Sequence, residues 1–154
     1  MASFLMTRSS DVIVRKLRPE DETDWLVMRK KLWPDSDEAD AREWSTCENA
    51  ATLVAERSGQ SGPIGFIEVG TRPYADGCET SPVAFVEGWY VDLPHRRVGV
   101  GARLVHAATL WAQNRGLKEL ASDSLLENKP AHFAHLGVGF QEVERSIKYR
   151  LRLE

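Results

Sequence analysis

Apolar positions change period several times along the chain, and each change marks an element. Val12 and Val14 alternate with polar neighbours and predict a first strand over residues 11–17. Arg18-Pro19-Glu20-Asp21 reads as a helix start, because proline fits the first turn and acids favour its positive end. Trp25, Leu26, Met28, Arg29 and Leu32 then give a helix with an apolar stripe, which Trp33-Pro34 ends. Asp35, Asp37, Glu38 and Asp40 crowd the entry to a second helix that runs to about Asn49. That acidic run is either a solvated helix start or a negative rim that attracts a polyamine.

Residues 52–57 and 63–70 predict two strands joined by a hairpin loop, Ser58-Gly59-Gln60-Ser61-Gly62. Residues 71–81 are polar, turn-rich and long for a hairpin connection, so they belong to a site or a subunit contact. Residues 82–91 predict the central strand, followed by a glycine loop and a helix to about Arg115 that Gly116 caps. Period two places Val83, Phe85, Glu87 and Trp89 on one face of that strand. Residues 118–122 predict another strand, 128–136 a short helix, and 140–152 a final strand or hairpin. The order β-α-α-β-β-β-α-β-α-β-β predicts an α/β fold of the α+β type, a mixed central sheet flanked by helices.

Length sharpens this picture: 154 residues fit one domain, spanning 11–154, with residues 1–10 read as a disordered N-terminal extension. A net charge of −3 argues against a nucleic-acid partner and is compatible with a cationic ligand. Cys47 and Cys78 form no CxxC pair, and no histidine cluster has metal spacing. No metal is therefore expected, and the cysteines read as reduced thiols of a cytoplasmic protein. No apolar run approaches a membrane span, and the one in MASFLMTRSS is too short for a signal peptide.

Three places carry candidate chemistry. Arg96-Arg97-Val98-Gly99-Val100-Gly101, between a strand and a helix, suits an anion. Glycines let the backbone come close, free N–H groups open the helix, and the arginines add charge-assisted hydrogen bonds to phosphate. Glu87 is a carboxylate on an apolar strand face, costly unless paired. It is either satisfied by an arginine or faces an acceptor cleft. Asp123 closes a strand at its C-terminal end, where α/β sites lie, or is a turn or capping aspartate.

Arg96-x-x-Gly99-x-Gly101 after a strand resembles the acetyl-coenzyme A pyrophosphate loop of the GCN5-related N-acetyltransferases, the GNAT superfamily. More narrowly, Leu32-Trp33-Pro34, Thr80-Ser81-Pro82-Val83, Phe85-Val86-Glu87-Gly88, Ala121-Ser122-Asp123 and Gly139-Phe140 resemble, in order, the aminoglycoside 6′-N-acetyltransferases. The resemblance covers nearly all the chain from about Val12.

It implies the GNAT acyl-CoA N-acyltransferase fold, acetyl-coenzyme A as co-substrate and an aminoglycoside acceptor. Phosphate binding falls to Arg97, Val98, Gly99, Val100, Gly101 and Ala102, with Arg96 at the rim. The pantetheine arm pairs with Trp89, Tyr90 and Val91, and Asn128 meets that arm or simply caps a helix. Trp33, Tyr74 and Glu144 match residues of the antibiotic pocket; their structural alternatives are core packing, an exposed loop aromatic and a solvated glutamate.

Asp123 and Glu87 are the candidates for taking the proton of the attacking amine, with the choice between them open, and both also face the substrate. Such an amine has a pKa near 10.4, so only about one in a few thousand is neutral at pH 7. The family tyrosine that protonates the leaving thiolate is replaced by His135, so the acid is His135, Tyr149 or solvent. The implied activity is direct N-acetylation of the 6′-amine in a ternary complex, conferring antibiotic resistance, in a homodimer. The alternatives are an acetyltransferase for another amine, such as a polyamine or a protein N-terminus, or a non-catalytic module that binds coenzyme A or an antibiotic.

Overall fold

The computed structural model describes residues 11–154, so the expected extension over residues 1–10 lies outside the described residues. Strand β1 (Val12–Lys16) leads through a short turn, Pro19–Asp21, into α1 (Glu22–Leu32) and α2 (Glu38–Ser45). Three antiparallel strands follow: β2 (Ala50–Arg57), β3 (Pro63–Arg72) and β4 (Val83–Val91). Helix α3 (Val100–Asn114), strand β5 (Leu120–Ser122) and helix α4 (Lys129–Gly137) complete the regular elements. The sheet order is β1-β2-β3-β4-β5, and only β5 runs parallel to its neighbour. A mixed sheet between helices is the predicted class.

Two apolar layers hold the sheet. On one face Leu53, Ile67, Val69, Ala84 and Val86 pack against Val100, Leu104, Val105 and Ala108 of α3. On the other, Val54 and Phe66 pack against Trp25 and Met28 of α1 and Ala41 of α2. Burying each large side chain contributes roughly 1.5–3 kcal/mol. Helix α1 ends at Trp33, whose backbone turns extended at φ −130° while its N–H still donates to the Arg29 carbonyl.

Several expected boundaries move. The second helix stops at Ser45 rather than near Asn49, because the Ala50 N–H donates to the Cys47 carbonyl in the turn that opens β2. The strand expected over 118–122 shortens to Leu120–Ser122.

The final strand expected over 140–152 does not form. Residues 141–154 carry no helix or strand and are exposed. They keep the alternation of a strand, yet no neighbouring segment offers them a ladder among the described residues. The expected common face of Val83, Phe85, Glu87 and Trp89 is also broken. Glu68 pairs with Gly88 and Val69 with Val86, so Glu87 is the extra residue of a β-bulge. Beyond it Trp89 lies opposite Ile67 and packs on the α3 side.

Candidate active site

The parallel ladder between β4 and β5 ends at Val86 opposite Ser122, while β4 continues to Val91. The two strands therefore part at their C-terminal ends, and residues 87–91 have no strand partner on that side. Such a gap is where α/β sheets take ligands. The glycine loop closes one end of it. Gly99 caps α3 in the left-handed region at φ 89°, and Arg97 is also left-handed at φ 62°. The first turn of α3 has no acidic residue and no side-chain cap, so its N–H groups and positive end stay available to an anion.

The residues lining the gap fit coenzyme A. A Cβ on Gly101 would stand 3.0 Å from the Trp89 ring, so a larger residue would have to push that ring aside. The Trp89 indole Nε1 is buried there without a hydrogen-bond partner. Arg97 is exposed beside the loop. Arg96 turns back instead: its Nε donates to the Val91 carbonyl at 2.6 Å, and its guanidinium lies 5.3 Å from the Tyr90 ring.

The opposite face of the sheet builds a wall from α1. Glu68, 1% exposed, receives Arg29 at 2.6 and 2.8 Å and the Trp25 indole N–H at 3.1 Å. The Arg29 guanidinium stands 4.9 Å from the Trp33 ring. Trp33 in turn lies over Gly88, where any Cβ would overlap its ring. A buried ion pair thus fixes an aromatic wall beside the bulge.

Glu87 is satisfied by an arginine: Arg72 Nε and Nη2 donate to its two oxygens at 2.8 and 2.6 Å. Arg72 also lies 3.5 Å over the Phe85 ring. Its pKa is raised, first by the Glu87 hydrogen bond and further by the charge of Asp123. Asp123 is exposed just beyond the end of β5, and its charge reaches Arg72.

Across the gap His135 is fixed. Its Nδ1 lies 2.6 Å from the Ala131 carbonyl, which can only accept, so the neutral ring carries its hydrogen there. Nε2 then accepts from the Ser122 hydroxyl at 2.8 Å. Asn128 caps α4, its Oδ1 accepting the Ala131 N–H.

Trp33, Glu87, Asp123, Trp89, Tyr90, Val91 and the glycine loop therefore gather at one end of the sheet. Tyr74 stands 72% exposed on the β3–β4 loop. Glu144 and Tyr149 lie on the exposed segment after α4, Tyr149 with 88% of its surface free. Arg72 and Glu68 carry no sequence signal, and Arg29 and Ser122 stand out only as part of the first helix and of the Ala121-Ser122-Asp123 segment, with no site role. Each takes its meaning from a partner thirteen or more residues away, and no local pattern signals that. Among the described residues no group of three metal-ligating side chains forms, both cysteines are free, and no helix is long and apolar enough to cross a membrane.

Comparison with known proteins agrees with this geometry. The model of the family described as acetyltransferase (GNAT) family matches residues 14–140. An aminoglycoside N(6′)-acetyltransferase type 1 from Klebsiella aerogenes is 43% identical, covering 92% of this chain and 97% of that protein. The one from Stenotrophomonas maltophilia is 40% identical, covering 92% and 94%. Among solved structures, AAC(6′)-Iy in complex with the bisubstrate analogue CoA-S-monomethyl-acetylneamine superposes with a TM-score of 0.84 at 35% identity, covering 92% and 99%. AAC(6′)-Ih from Acinetobacter baumannii gives 0.86 at 32%, covering 93% and 99%.

Proposed function

The chain belongs to the acetyltransferase (GNAT) family and, within it, to the aminoglycoside 6′-N-acetyltransferases, and we propose that it transfers the acetyl group of acetyl-coenzyme A to the 6′-amine of an aminoglycoside. The observation that carries this reading is the parted β4–β5 end, with an uncapped helix start on one side and a tryptophan–carboxylate wall on the other. Modification of the drug confers resistance. The enzyme works in the cytoplasm, where acetyl-coenzyme A is made.

Acetyl-coenzyme A supplies an activated acyl group; the chain supplies position and proton handling. The start of α3 and Arg97 hold the pyrophosphate, and the edge of residues 89–91, which has no strand partner, faces the pantetheine arm, with the Val91 carbonyl already accepting from Arg96. Trp33 offers a π face to the sugar and its ammonium groups. Both Glu87 oxygens are engaged by Arg72, so Glu87 sets the charge of the cleft while Asp123, exposed and within the field of Arg72, takes the proton of the amine. His135, hydrogen-bonded through Nδ1, has no hydrogen to give at Nε2, so the thiolate is protonated from water. Tyr74 borders the acceptor side.

A homodimer is part of the same reading. Ile147, Tyr149, Leu151 and Leu153 expose an apolar row at alternate positions, each more than three-quarters exposed, with Val143 exposed upstream of Arg145. A contiguous patch of that kind is uncommon on a monomer. Covered by a second copy, the segment would also bring Glu144 toward an acceptor cleft.

The test is thiol release from acetyl-coenzyme A with kanamycin A and with its 6′-hydroxyl analogue. Release with the amine alone is expected. Equal release with both would move the acetylated nitrogen elsewhere, and release with neither would end the aminoglycoside reading. Asp123→Asn should lower kcat about a hundredfold with little change in acetyl-coenzyme A affinity; wild-type turnover would remove Asp123 from the proton path.

A further inference from the structure

Transfer to an amine leaves one pair of side chains unused. Ser122 is the last residue of β5, opposite Val86 and beside the Glu87 bulge, at the point where β4 and β5 part. Its hydroxyl donates to His135 Nε2 at 2.8 Å, and the Ala131 carbonyl holds the other ring nitrogen at 2.6 Å. The imidazole stands edge-on to Trp89 and Phe140, with ring centroids 5.3 and 5.2 Å apart. Trp89 in turn abuts Gly101 at the start of α3. A hydroxyl, a base and a third group that fixes the tautomer of the base are the parts of an activated nucleophile.

We propose that Ser122 is a second acyl acceptor: with no amine bound, it takes the acetyl group of acetyl-coenzyme A and passes it to water. The inference rests on the acetyl-coenzyme A reading of the gap. Ser122 Oγ attacks the thioester carbonyl carbon while His135 Nε2 takes the hydroxyl proton. The carbon–sulfur bond breaks, and the thiolate leaves with that proton as free coenzyme A. Water then attacks the acetyl ester. His135 takes a proton from the water and returns it to Ser122, and acetate is released. The sum is acetyl-coenzyme A plus water giving coenzyme A, acetate and a proton, with no oxidant, reductant or metal.

The bulge suits this step. Residue 87 is outside the β3 ladder and β5 ends at Ser122, so the β4 backbone at the apex has no strand partner, and the proposal gives its N–H groups the role of meeting the oxyanion. His135 serves here as a base in the tautomer the structure fixes. As an acid it would first need a second proton.

The experiment incubates the purified full chain with acetyl-coenzyme A and no acceptor. Thiol release is followed, and acid-quenched samples are digested for peptide mass spectrometry. An acetyl group on the peptide containing Ser122 is expected, with slow thiol release that Ser122→Ala lowers about a hundredfold. Ser122→Ala should still acetylate an aminoglycoside, because the amine attacks without Ser122. Absence of the acetyl group on Ser122, with release unchanged in Ser122→Ala, would overturn the proposal. Acetylation of lysines alone would do the same. Calorimetry of acetyl-coenzyme A binding separates the two readings: binding without the Ser122 adduct overturns this inference alone, and absence of binding overturns the transferase reading with it.

Discussion

The two sides of β4 are finished to different degrees. On the β3 side, Phe66, Ile67 and Val69 are fully buried, and the Arg29–Glu68 pair is sealed under Trp25 and Trp33. On the β5 side the partner strand is three residues long, α4 buries none of its residues, and Phe133 is 67% exposed. The first half is a rigid wall that one chain completes by itself. The second half keeps free backbone edges, free helix-start amides and an uncovered apolar row. A transferase needs both, because the acceptor must be held against a fixed wall while the cofactor threads an open edge.

The largest effect should come from breaking the wall. Glu68→Gln leaves the Arg29 charge buried against a neutral amide and should cost about 3–5 kcal/mol in urea unfolding. Pairing Glu68→Met with Arg29→Met should recover most of that loss. A Glu68→Gln protein as stable as the parent would show that the pair does not hold the wall.

On the open side, Arg97→Ala should weaken acetyl-coenzyme A binding by about tenfold to a hundredfold by calorimetry, from the loss of charge-assisted hydrogen bonds of roughly 1.5–3 kcal/mol. Its unfolding midpoint should not move. A parent-like affinity would leave the anion to the helix amides alone.

A smaller effect probes where the finished half meets β1. Asp21 is buried and accepts Arg15 at 2.6 and 3.0 Å, which holds its carboxyl below the ordinary value of 3.8. A lowered folded-state pKa contributes stability that is complete above that ordinary value and is lost as pH falls through the lowered one. Asp21→Asn should therefore cost about 1.5 kcal/mol at neutral pH and flatten the acid limb of stability against pH. An unchanged acid limb would assign acid unfolding to other carboxylates.

The smallest effect on the fold itself should follow removal of residues 141–154. Dilute chains should lose less than about 0.5 kcal/mol, while light scattering should fall from the mass of two chains to that of one. A truncated protein that stays dimeric would place the subunit contact elsewhere.

The glycine loop and its flanking strand and helix were legible because the signals are local: left-handed glycine, a basic dipeptide and a change of period from two to 3.6 all lie within a few residues. The bulge at Glu87 was not legible. An extra residue in one strand is defined only by counting against the other, and the apolar alternation through Val83 and Phe85 runs smoothly into it. Arg72 escaped notice for a related reason. It sits at a strand end with ordinary neighbours, and its role comes from Glu87 across the ladder.

By itself, then, the sequence determined the helices, the antiparallel strands β1 to β4, the left-handed glycine turn and the residue types that acetyl transfer requires. These follow from side-chain period, backbone freedom and charge, which each short stretch carries within itself. Tertiary structure alone decided which face Trp89 takes, which arginine engages Glu87, which tautomer His135 holds, and that residues 141–154 remain unpaired. All but the tautomer, which the Ala131 carbonyl one helical turn back sets, depend on a neighbour distant in sequence. A strand pattern states a readiness to pair, but a ladder needs a second backbone to supply its hydrogen bonds.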